Sequence, residues 1–171
     1  MIFAITLLLV CVPTNGISVA AATSGFTGDC WWTLEDGHLT ITTMGKGAMG
    51  DYNYGNLPPW GTDIISVNIG NGVTNIGKYA FYGCSSLTSI SIPKNVTYLP
   101  GYIFQGCESL KHIDLGNVRE FGAQAFQYCG FETFEIPDGT KTLSENMFFS
   151  CRNIKYIEVP ASVEVVESGA F

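Results

Sequence analysis

Positive charge is scarce in this chain. Eight Lys and Arg stand against fifteen Asp and Glu in 171 residues, for a formal charge of −7 and a pI near 4.6. Affinity for phosphates rests on cationic clusters, so nucleic acid is excluded as a partner class. An acidic surface instead favours cationic patches on whatever it meets. Histidine is as rare: only His38 and His112 occur, and no motif sets a nucleophile against either. A G-x-S-x-G elbow and a phosphate-cradling glycine loop are both missing. Gly45, Gly47 and Gly50 precede no helical pattern and read as turns. The six cysteines include no C-x-x-C pair, which removes the usual zinc spacing. These gaps argue against catalytic residues, a cofactor or a metal in this chain.

A membrane span is lacking too. The apolar stretch Ile2–Val12 is eleven residues long and stops at Pro13, whereas a spanning helix needs about 20. Small residues follow at Ser18-Val19-Ala20-Ala21-Ala22, an order that reads as a secretory signal over 1–22 with an A-x-A-like end at Ala20 or Ala22. No Lys or Arg precedes the apolar core, so either the amino terminus supplies its positive charge or Met1 is not the true start. Cys11 follows Val10, not the small residue a bacterial lipobox requires, and lipidation is not expected. The expected address is extracellular or the cell surface.

What is present is a period. Phe81, Phe104, Phe126, Phe148 and Phe171 follow one another at 23, 22, 22 and 23 residues, and the first four are each followed by a cysteine: Cys84, Cys107, Cys129 and Cys151. A period in the twenties marks a solenoid, whose coils cannot bury an apolar face alone. Within each coil an I-x-I element such as Ile90-Ser91-Ile92 alternates faces and predicts a short strand. Pro93, Pro137 and Pro160 close these strands, because proline cannot donate a ladder hydrogen bond. Strands separated by a whole coil must pair in parallel. The stretch before each phenylalanine leaves room for one helical turn at most. The expected fold is α/β but β-rich: a right-handed solenoid with a parallel concave sheet, and turns or short helices opposite.

The pattern L-x-x-I-x-I-P followed by V-x-x-I-x-x-x-A-F-x-x-C resembles the BspA-type leucine-rich repeat of bacterial surface antigens. It runs from about Val67 to Phe171 and is clearest over Leu87–Cys107. The fourth coil departs most, with a shortened Cys129-Gly130-Phe131 and with Thr140 where valine is usual. The resemblance extends to the leader, through Trp32-Thr33-Leu34, Gly45-Lys46-Gly47-Ala48-Met49 and Pro58-Pro59-Trp60. It implies a secreted or surface protein used in adhesion and protein binding, without catalysis in the repeat. Asp36-Gly37 between alternating runs is a hairpin signal, and Trp31, Trp32, Trp60, Tyr52 and Tyr54 supply apolar area to cover the first coil. Residues 23–62 therefore read as an N-terminal β-hairpin cap, and 63–171 as about five coils with the last one truncated. With no such cover after Phe171, the expectation is a fragment of a longer protein.

The cysteines share one coil position and should form a column. A ladder of buried thiols is favoured, because side chains that point in parallel keep their Cβ atoms apart; a disulfide between neighbouring coils is the alternative. The outward positions of the strands are the candidate partner-binding residues. Ser89, His112, Thr133 and Tyr156 extend a column from Ser66, and Ser91, Asp114, Glu135 and Glu158 one from Asn68. Three carboxylates on successive rungs, about 4.8 Å apart, would make a docking stripe for a basic partner or a weak calcium site, against the plainer reading of a solvated face. Partners are expected among proteins or glycan-bearing surfaces. The rival reading makes these repeats the targeting arm of a larger secreted hydrolase, its catalytic domain beyond residue 171; a third is a structural spacer. Asn95-Val96-Thr97 is a glycosylation sequon, relevant in a eukaryotic source.

Overall fold

The computed structural model describes residues 23–171; the signal expected over 1–22 lies outside them. Three antiparallel strands come first: β1 (Thr23–Thr27), β2 (Cys30–Glu35) and β3 (His38–Thr43). Asp36 and Gly37 both take positive φ, the left-handed pair that a two-residue hairpin needs, and so β2 turns directly into β3. From β3 onward the pairing changes sense. β4 (Ser66–Ile69) lies parallel to β3, with Leu39 opposite Val67 and Ile41 opposite Ile69.

The rungs β5 (Ser89–Ser91), β7 (His112–Asp114), β9 (Thr133–Glu135) and β11 (Tyr156–Glu158) follow, one per coil. Beside them lie two further parallel pairs, β6 (Tyr98–Leu99) with β8 (Glu120–Phe121) and β10 (Thr142–Leu143) with β12 (Val165–Val166). The architecture is a β-rich solenoid of stacked parallel strands.

The wall expected to hold turns or short helices holds turns, with no helix among the described residues. The backbone explains why. Two residues before each phenylalanine the chain enters the left-handed region, at Tyr79, Tyr102, Gln124, Asn146 and Gly169. It does so again two residues after, at Gly83, Gly106, Tyr128 and Ser150. A helical turn cannot pass through such residues. The phenylalanine N–H groups point along the stack instead: Phe81 donates to Ile103 O (3.0 Å), Phe104 to Ala125 O (3.0 Å), Phe126 to Met147 O (3.0 Å) and Phe148 to Ala170 O (2.8 Å).

Inside, the repeat becomes columns. The phenylalanine rings stack face to face through all five coils, with centroids 5.4, 5.9, 5.6 and 6.1 Å apart. The four cysteines beside them are free and buried. Cys107, Cys129 and Cys151 each donate the thiol to the carbonyl of the preceding coil's phenylalanine, at 3.1, 3.2 and 3.0 Å. Burial pushes the Cys84 thiol up to about 12 and Cys151 up to about 11, and raises Cys107 and Cys129 well above the ordinary value of 9.0. The column is thus held protonated, as its donor role requires.

The rungs are not evenly spaced. β5 pairs with β7 and β9 with β11, but β7 and β9 are not bonded, and no Cα of one lies within 8 Å of the other. β4 and β5 are likewise unpaired; the wider opening, between β7 and β9, coincides with a change of side chains in the fourth coil. Phe131 and Phe134 occupy positions where neighbouring coils have Leu110 and Ile113, and their rings fill the space behind the strands. Its shortened turn also needs Gly130, where a Cβ would fall 2.1 Å from the Glu108 carbonyl oxygen.

Candidate functional site

Strand alternation dictates which side chains leave the core. Ile90, Ile113, Phe134 and Ile157 point inward from the middle of their strands, and their flanking residues are thrown outward. All eight residues expected on the contact face, Ser89, Ser91, His112, Asp114, Thr133, Glu135, Tyr156 and Glu158, are exposed. The registers set them in two columns. Ser89 lies opposite His112 and Ser91 opposite Asp114; Thr133 lies opposite Tyr156 and Glu135 opposite Glu158.

The evenly spaced carboxylate stripe is corrected by the gap between β7 and β9. Glu135 and Glu158 are register partners, but Asp114 stands across the opening, and its Oδ1 accepts from the Gly116 N–H at 3.0 Å. Where the rungs part, an open groove of about 1000 Å³ lies along the sheet, with Asp114, Arg119, Glu135 and Asp138 among its walls. No cluster of three metal-ligating side chains occurs among the described residues.

Three features escaped the sequence reading. The face begins earlier than Ser66, because β3 is its first parallel rung: His38 precedes Ser66 in one column and Thr40 precedes Asn68 in the other. The alternation in His38-Leu39-Thr40-Ile41 matches that in Ser66-Val67-Asn68-Ile69 and was the available signal. His38 Nδ1 and Ser66 Oγ lie 2.7 Å apart, so a serine does sit against a histidine, contrary to the motif-based expectation. Both are exposed on the open face, and no bond from a carboxylate to the imidazole is seen among the described residues, whereas a working dyad needs an orienting third group and oxyanion donors. Third, residues just before the strands form an ion row: Glu132 takes Lys155 Nζ at 2.9 Å and has Lys111 Nζ at 3.9 Å. The Lys155 hydrogen bond, helped by the charges of both lysines, holds the Glu132 carboxyl below its ordinary value.

The model of the BspA type leucine rich repeat region matches residues 60–171, in six copies. The chain belongs to that family. The model counts one copy more than the five coils marked by phenylalanine. Similar solved structures include a leucine-rich repeat protein from Eubacterium ventriosum, 27% identical with a TM-score of 0.72, covering 86% of this chain and 40% of its own. A leucine rich cell surface protein from Faecalibacterium prausnitzii is 26% identical, with a TM-score of 0.61, and covers 87% of this chain and 46% of its own. The chain therefore spans less than half the length of either. The T. pallidum leucine rich repeat protein, at 21% identity and a TM-score of 0.53 over 85% of this chain and 83% of its own, shares the fold. No curated protein matches the chain. Leucine-rich repeat proteins of this family characteristically bind other proteins, and no described helix is long and apolar enough to cross a membrane.

Proposed function

We propose that this is a secreted or cell-surface repeat module that holds a partner protein against its concave sheet, without chemistry of its own. The observation that carries this reading is the exposure of eight side chains in two columns on the sheet, six of which, Ser89, Ser91, His112, Asp114, Thr133 and Glu135, line a groove of about 1000 Å³. A solenoid offers its curved sheet as an extended contact surface, where many weak contacts add up. Ser89, Ser91 and Thr133 give and accept hydrogen bonds, Tyr156 adds apolar area with a polar tip, and Asp114, Glu135 and Glu158 favour a basic partner surface. Residues 23–62 act as the cover of the amino-terminal end. The Faecalibacterium relative is a cell surface protein, which supports the same address.

The test is a triple charge reversal, Asp114→Lys, Glu135→Lys and Glu158→Lys, in the full chain. Capture from cell-surface extracts should fall at least tenfold while the thermal melt stays in place. Undiminished capture would remove this face from consideration.

A further inference from the structure

The coils are near-copies, so a position that breaks the pattern can be judged against its siblings. Two residues before the phenylalanine, the later coils place Gln124, Asn146 and Gly169 in the left-handed backbone region. Asn and Gly are natural there. The first two coils place Tyr79 (φ 59°) and Tyr102 (φ 64°) at the same position, where a bulky side chain is costly. Their rings are stacked at 4.6 Å, with Lys78 Nζ 5.0 Å from the Tyr102 centroid and 5.7 Å from that of Tyr79. The row continues: Tyr79 meets Tyr82 at 5.4 Å, and Tyr82 meets the exposed Tyr54 of the leading segment at 6.1 Å. Scattered surface aromatics need no explanation, but a contiguous row on one wall does.

Beside this row lies a groove of about 360 Å³, away from the strand columns already described. Tyr98 and Tyr102 line it together with Pro100, Gly101, Asn75, Lys78 and Asp51. Tyr98 is also a departure, since the later coils have Glu120, Thr142 and Val165 at its position. Asp51 is fixed in place by the Lys78 N–H, which donates to its Oδ1 at 2.8 Å.

We propose that the groove between Tyr98 and Tyr102 is a saccharide subsite, taking a neutral mono- or disaccharide unit of a surface glycan. Tyrosine rings offer apolar faces to the C–H face of a sugar, and the Tyr102 hydroxyl is held in place, accepting from Gln124 Nε2 at 3.3 Å. Asn75 both donates and accepts, Asp51 accepts and Lys78 donates, which suits hydroxyl groups that do both. One carboxylate and one ammonium leave the groove without net charge, which favours a neutral sugar. A proline-rich segment would also like tyrosine walls, but it brings few N–H donors to a carboxylate. The groove is small beside a protein contact patch, and it is independent of the concave face.

The sibling coils supply variants compatible with the backbone: Tyr98→Thr, after Thr142, and Tyr102→Asn, after Asn146. The full chain would be titrated with cellotetraose, chitotetraose, maltotetraose and mannotetraose, and with a decaproline peptide. At least one tetraose should bind, and each variant should weaken it tenfold or more with the melting temperature retained. The triple reversal of Asp114, Glu135 and Glu158 should leave this binding unchanged. Binding by none of the tetraoses, undiminished binding by both variants, or Tyr98-dependent binding of decaproline alone would overturn the proposal.

Discussion

The leading segment and the coils solve one packing problem with different means. Between coils the same contacts recur: phenylalanine on phenylalanine, and a cysteine thiol on the preceding phenylalanine's carbonyl. In the leading segment nothing repeats, and Trp32, Trp60 and Tyr52 meet edge to face at 5.8 and 5.5 Å. Yet the leading chain follows the path of a coil. β3 runs parallel to β4, Ala48 bridges Asn75 in parallel, and Tyr52 N–H donates to Lys78 O at 2.9 Å. The decisive substitution is at Ala80. The carbonyl at this position in each later coil accepts a phenylalanine N–H from the coil before. For Ala80 the Trp60 indole supplies that donor at 2.9 Å. What stacks is the path of the backbone with its polar groups satisfied, and the phenylalanine–cysteine signature is one way to fill it.

The largest expected difference between the two regions is alkaline, because the coils stack four buried thiols whereas the leading segment holds one, Cys30, whose pKa burial also raises. The four column thiols have pKa values raised by burial, so their share of stability is complete below pH 9 and is lost as pH rises toward 11–12. In that window the folded state binds more protons than the unfolded one, so each thiol costs roughly 1 kcal/mol by pH 10 and the column as a whole on the order of a few kcal/mol. Urea midpoints from pH 7 to 10 should fall steeply. A flat profile would mean that the column is not buried.

Next comes position within the stack. Phe104 is fully buried between two rings, and Phe104→Ala should cost about 3–5 kcal/mol in urea unfolding. Phe26 of the leading segment is 62% exposed and meets only the Trp31 ring, at 4.8 Å, so Phe26→Ala should cost less than about 1 kcal/mol. Equal costs would deny the column its cooperative role.

Much of this was legible because the repeat prints each position several times. The outward columns and the alignment of phenylalanines and cysteines follow from alternation and period; whether neighbouring thiols were bridged did not, and they are free. The splay between β7 and β9 did not, since it depends on how the bulk of Phe131 and Phe134 is accommodated across coils. The left-handed turns were hidden because tyrosine, glutamine and serine do not advertise positive φ as glycine does. The coil-like path of the leading segment was masked by its lack of the signature residues.

Smaller effects follow from single polar atoms. Trp60→Phe removes the donor to the Ala80 carbonyl and should cost about 1–3 kcal/mol, more than the lost ring area explains. Thr140 stands fully buried in the column of Val73, Val96 and Val118, and its hydroxyl has no hydrogen-bond partner. Thr140→Val should therefore stabilise by about 1 kcal/mol, seen as a higher urea midpoint with unchanged slope.

Native-state hydrogen exchange on a Trp60→Ala variant tests most directly whether the leading segment is the first rung of the stack. Protection should fall at β3, β4 and the Ala80–Phe81 turn, and recover toward β9 and β11. Loss confined to β1–β3, with β4 and that turn untouched, would contradict the account.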